Sequence, residues 1–100
     1  MSMQVSEAGQ LNVSIENVVA TDVELEKLRA GLDKEFSRLH DLTINFDYES
    51  KQGRHHVVRF NIPGPLYFDD KRLMDILYEI PLVRWRMNYQ AGPKGETLIL

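Results

Sequence analysis

The chain has 100 residues, 43% of them hydrophobic and 27% charged, with a formal net charge of -3. That size suits a single two-layer domain without staples, and the charge carries none of the basic footprint of a nucleic-acid binder. With no cysteine, disulfides and thiolate zinc sites are excluded and a reducing compartment fits. No apolar run approaches a membrane span, and no basic-then-apolar signal opens the chain.

Met1 to Gln10 is polar and small, which predicts a disordered lead-in over residues 1–10. Leu11, Val13 and Ile15 alternate with Asn12, Ser14 and Glu16, predicting a first strand that continues loosely through Val18 and Val19. Thr21 followed three residues later by Glu24 is a capping box, in which each side chain satisfies an otherwise orphaned backbone N–H. Leu25, Leu28, Leu32, Phe36 and Leu39 then recur at steps of three and four, predicting one apolar helical stripe of about five turns. Gly31 interrupts that stripe at about 1 kcal/mol against alanine, so close packing against the sheet or a partner is expected there.

From Asp41 to Pro65 the pattern is that of a β-hairpin. Leu42, Ile44, Phe46 and Tyr48 alternate with polar residues, and His56, Val58, Phe60 and Ile62 alternate with Val57, Arg59 and Asn61, around the polar turn Ser50-Lys51-Gln52-Gly53. Pro63-Gly64-Pro65 ends the second strand. Leu66, Tyr67 and Phe68 lead into a second helix with Asp69 as N-cap and Asp70 in the first turn, where negative charge suits the helix dipole. Leu73, Ile76, Leu77 and Ile80 form its buried stripe and Pro81 stops it. Val83, Trp85, Met87 and Tyr89 predict the last main strand of a domain spanning 11–90. Residues 91–100 read as a loop and an apolar tail, Thr97 to Leu100, able to add an edge strand or to enter an interface through Leu98, Ile99 and Leu100.

The order β-α-β-β-α-β predicts an α+β, ferredoxin-like fold, an antiparallel sheet with two helices on one face. Strands one and three are expected at the centre, and strands two and four at the edges. Within that frame few residues point to chemistry. His55 and His56 are adjacent on a strand and so face opposite sides, unable to share one ion. His40 is expected to close the first helix, where a cationic imidazole favours the dipole. The carboxylates at Asp22, Glu24, Asp69 and Asp70 read as helix starts, and no nucleotide, hydrolase or metal motif is present. No catalytic residue, no metal ligand and no cofactor is therefore assigned. An RNA-recognition module would display aromatics on the open face of the sheet. Here Phe46, Tyr48, Phe60, Trp85 and Tyr89 have core parity, while Arg59, Arg84 and Arg86 suit cross-strand ladders.

This element order, with the loop Asn17–Thr21 before a capped helix and the segment from Leu73 to Arg86 in which a helix stops at proline and a strand starts on valine, resembles ACT and ACT-like regulatory domains. It is more weakly similar to the cytoplasmic C-terminal domain of MgtC/SapB-type bacterial membrane proteins. The resemblance implies a non-enzymatic regulatory or protein-interaction domain, homodimeric, acting in the cytoplasm alone or on the cytoplasmic face of a membrane protein that is its partner or parent chain. It implies no nucleic-acid partner. The alternative is a module sensing an amino acid or a divalent metal. Ligand-binding members usually carry a glycine in the first βα loop, which this chain lacks. A ligand would fall at Asn17, Thr21 and Asp22, where free helix N–H groups can meet a carboxylate. An enzyme ranks third.

Overall fold

In the computed structural model, which describes residues 2–7, 9–79, 86–91 and 96–99, the chain is an α+β protein with antiparallel sheets and two helices. The elements run β1 (Ser2–Val5), β2 (Gln10–Val19), α1 (Asp22–Glu35), β3 (His40–Ser50), β4 (Gly53–Pro63), β5 (Leu66–Asp69), α2 (Asp70–Tyr78), β6 (Arg86–Ala91) and β7 (Glu96–Ile99). Five strands form one sheet in the order β3-β4-β2-β6-β7, and β1 pairs with β5 in a separate two-stranded ribbon. All pairings are antiparallel. This arrangement is compatible with the ferredoxin-like expectation, with the ribbon and β7 added to it.

The predicted alternation sets the register. Leu11, Val13 and Ile15 of β2 stand opposite Ile62, Phe60 and Val58 of β4. Directly opposed residues share a face, and all six are buried. Leu25, Leu28 and Leu32 of α1 and Leu73 and Leu77 of α2 join the same core cluster. The other face carries Ser14 opposite the exposed Arg59. Each of the larger core side chains contributes about 1.5–3 kcal/mol when fully buried.

Both helix starts match the sequence. Thr21 is the N-cap of α1, its Oγ1 accepting from the Glu24 N–H while Glu24 Oε1 accepts from the Thr21 N–H. Asp69 caps α2 by accepting from the Lys71 N–H. Gly31 faces the second helix, for a Cβ there would stand 3.0 Å from Ile76 Cγ2.

Four expectations need correction. The lead-in 1–10 is not featureless, since Ser2–Val5 pairs with Leu66–Asp69 and Val5 enters the core. Ser2-Met3-Gln4-Val5 alternates polar and apolar residues, but four positions are too short a run to mark a strand by themselves, and their partner lies some sixty positions away. The same pairing turns Leu66–Asp69, read as a helix approach, into a strand. Helix α1 ends one turn early, at Glu35, with Phe36 as C-cap. The Phe36 ring packs against Phe60 and Phe68 at centroid distances of 6.1 and 5.9 Å, and Arg72 bonds the Glu35 carboxylate and carbonyl. His40 consequently opens β3 instead of closing a helix. The fourth correction concerns Tyr48, expected on the core face, and is given below. Val83, Arg84, Trp85, the end of the second helix at Ile80-Pro81, the loop Gly92–Gly95 and Leu100 lie outside the described residues. Leu98 and Ile99 belong to β7, which pairs with β6.

Candidate functional site

Asp70 at the start of α2 is one buried polar residue; the others among the described residues, His55 and His56, lie together at one end of the sheet, where two strands are irregular. On β2, Ile15 pairs with Val58 but Val18 pairs with His56, so one extra residue is accommodated between them. On β3, Phe46 pairs with His56 but Tyr48 pairs with His55. These are β-bulges, which re-aim side chains and increase local twist. Asn17 takes up the β2 irregularity with φ of 60°, a left-handed conformation that asparagine tolerates better than most residues.

The β3 bulge changes the face of Tyr48, while His55 and His56 lie on opposite sides of the sheet as adjacent strand residues do. Both histidines are buried, at 3% and 5% exposure. His56 lies on the helix side with Val18 opposite, its ring meeting the edge of Phe46 at 6.1 Å, and its Nδ1 has no hydrogen-bond partner. His55 lies on the other side beneath Tyr48, the two rings stacked at 4.1 Å. Alternation alone would have put Tyr48 on the core face; the extra residue at Asp47 turns it over.

His55 is held at both nitrogens. Its Nδ1 is 2.6 Å from Asn17 Oδ1, and its Nε2 is 2.6 Å from Ser50 Oγ. An amide oxygen only accepts, so Nδ1 carries the proton. Asn17 Oδ1 also accepts from the Tyr48 hydroxyl at 3.3 Å, and Ser50 Oγ accepts from the Gln52 N–H at 3.1 Å. The Ser50 hydroxyl is thus able to donate to Nε2 of a neutral imidazole. Hydrogen bonds link Gln52, Ser50, His55, Asn17 and Tyr48 in one unbroken series. The result is a lock joining the bulge in β2, the end of β3 and the hairpin turn.

A serine, histidine and amide in series also form the geometry of an activated nucleophile. Here the imidazole is covered by the Tyr48 ring, and the Ser50 oxygen already accepts a backbone N–H of its own turn. Those contacts suit positioning better than turnover. Of the residues assigned to a ligand, only Asn17 enters this network. Thr21 is consumed by the capping box, and Asp22 is exposed in the first turn of α1. A carboxylate ligand at this helix start would have to displace the Glu24 side chain from the Thr21 N–H. Among the described residues no group of three or more His, Asp or Glu side chains could hold a metal ion.

The signal for the network was partly in the sequence, in an asparagine interrupting a strand and a histidine pair beside a turn serine. Their convergence depends on the two bulges.

Next to the lock, the outer strand is bare. Phe46 is 52% and Tyr48 48% exposed, and the Arg54 guanidinium rests 4.8 Å from the Phe46 ring centroid, a cation–π contact. Comparisons with protein-family models, with curated proteins and with solved structures found no match.

Proposed function

We infer that this protein is a non-enzymatic regulatory or protein-interaction domain of the ACT-like kind, its β2-α1-β3-β4-α2-β6 portion being ferredoxin-like. The observation that carries the reading is the sheet itself. Its order, β3-β4-β2-β6-β7, leaves a long strand on one outside and a short one on the other. Such edges are ready-made pairing templates. The polar cluster beside the β3 edge fixes side chains instead of presenting a reactive group to a cleft, which favours recognition over catalysis.

The domain acts as a homodimer joined through the β7 edge, with Leu98, Ile99 and Leu100 in the interface. It works in the cytoplasm, alone or as part of an MgtC/SapB-type membrane protein. No helix among the described residues is long and apolar enough to cross a membrane. Light scattering at tens of micromolar tests the dimer. A mass near twice the 11.6 kDa of one chain is expected, falling to one chain when Leu98 and Ile99 are replaced by lysine. A monomer throughout refutes the dimer.

A further inference from the structure

The outer edge of β3 fits a particular kind of partner. Among the described strands, β3 pairs only with β4, although it is 11 residues long. Irregularities bound the regularly paired stretch Thr43–Phe46, one between His40 and Thr43 that takes in Leu42, and one between Phe46 and Tyr48. The run Leu42-Thr43-Ile44-Asn45-Phe46 is an uncharged, β-prone segment of five residues, long enough for about 17 Å of strand pairing. Leu42 and Ile44 are half-buried and Phe46 is exposed, so their row stops abruptly at the edge of the core.

Charge selects the occupant. β3 carries Asp41, Asp47 and Glu49 and no lysine or arginine. Asp41 accepts a hydrogen bond from Asn61 at 3.2 Å; the Asp47 and Glu49 side chains are exposed. A second copy paired antiparallel about Ile44 would set Asp41 against Asp47, and like charges directly opposed are destabilising. An extended segment with a basic residue at each end gains where a second copy loses. On β4, Arg54 stands opposite Glu49 and Arg59 opposite Thr43, so neither arginine is set directly against Asp41 or Asp47.

We propose that the β3 edge binds an extended, basic-flanked segment of another protein by strand addition. The segment lays three alternating apolar side chains beside Leu42, Ile44 and Phe46 and places cationic side chains at Asp41 and Asp47. Main-chain hydrogen bonds supply affinity, and the side chains supply specificity. The His55 lock serves this by holding Tyr48 and the adjoining strand end in place, so less ordering is required on binding. The proposal rests on the interaction-domain reading but uses the edge opposite the dimer edge.

The test uses the full chain and a fluorescein-labelled heptapeptide, valine alternating with threonine between two terminal lysines. A control peptide ends in glutamates. At low ionic strength the lysine-ended peptide should bind about tenfold more tightly or better, a gap that narrows as salt screens it. Amide exchange at Thr43–Asn45 should slow in its complex. Asp41→Lys combined with Asp47→Lys should reverse the preference; if that variant melts early, Asp41→Asn with Asp47→Asn should abolish it. The proposal is overturned if neither peptide binds, if both bind alike, if the preference survives the substitutions, or if protection appears on β7 instead. A monomer in light scattering with peptide binding intact would refute only the dimer.

Discussion

Replacing Asn17 tests whether the histidine lock is a structural device with a calculable strength. Asn17→Ala removes the acceptor for the His55 Nδ1–H and the Tyr48 hydroxyl. His55 is buried, so its stranded donor should cost about 1–3 kcal/mol. Alanine at φ of 60° adds about 1 kcal/mol of backbone strain. The sum, about 2–4 kcal/mol, corresponds to a fall in Tm of roughly 10–20 °C for a chain of this length. Asn17→Gly loses the same hydrogen bonds without the strain and should be milder by about 1 kcal/mol. Asn17→Asp keeps an acceptor and a residue tolerant of the left-handed region, and should lose less than about 1 kcal/mol. Urea and thermal unfolding measure all three. An alanine variant within about 0.5 kcal/mol of the parent, or a glycine variant less stable than the alanine one, would refute the reasoning.

Two further substitutions probe how the elements close on each other. Gly31→Ala gains helix propensity but drives a Cβ to 3.0 Å from Ile76 Cγ2. The gain should emerge as about 0.5–1 kcal/mol only when Ile76→Leu has removed that branch; equal effects in both backgrounds in a double-mutant cycle would refute the contact. At Gly64 a Cβ would lie 1.8 Å from the Ser6 carbonyl oxygen, which is backbone and cannot swing aside. Gly64→Ala should therefore break the Gly64 N–H to Gly9 carbonyl bond and detach β1, withdrawing Val5 from the core at about 1.5–3 kcal/mol. Faster amide exchange over residues 2–5 is the expected sign, and unchanged exchange there would count against it.

The elements that local chemistry specifies were legible in the sequence. Thr21 with Glu24 and Asp69 with Lys71 define helix starts within single turns, and β2 and β4 announce themselves by alternation. What escaped was non-local. The strand at Ser2–Val5 exists through Leu66–Asp69 and through the room that Gly64 leaves for the Ser6 carbonyl. The helix end at Glu35 is imposed by Phe36 turning between Phe60 and Phe68 and by Arg72 reaching across from α2. At the candidate site, period-two counting fails at the first inserted residue, because a one-residue slip moves every later side chain to the other face. Asn17 and Asp47 are those insertions, and neither is marked by a glycine. His55, Tyr48 and Asn17 could therefore be named individually, but not as one network.

The two outer strands of the sheet follow different rules. The β3 edge is long and gated: bulges interrupt it at both ends of an uncharged core, and its acids oppose a second copy. These features resemble the devices by which proteins protect open edges. The protection is selective, however, since it repels acidic or identical strands while leaving the apolar row at Leu42, Ile44 and Phe46 available to a basic one. The β7 edge, Glu96-Thr97-Leu98-Ile99, has a single charge and no proline, and little in its sequence opposes self-pairing. The two proposals therefore divide the labour between edges of different chemistry: self-pairing is proposed at β7, and an unlike, basic partner at β3. The histidine network fixes Tyr48 and Ser50 on the β3 side, which suits the selective edge proposed there, since a self-pairing edge would require only matched hydrogen bonds.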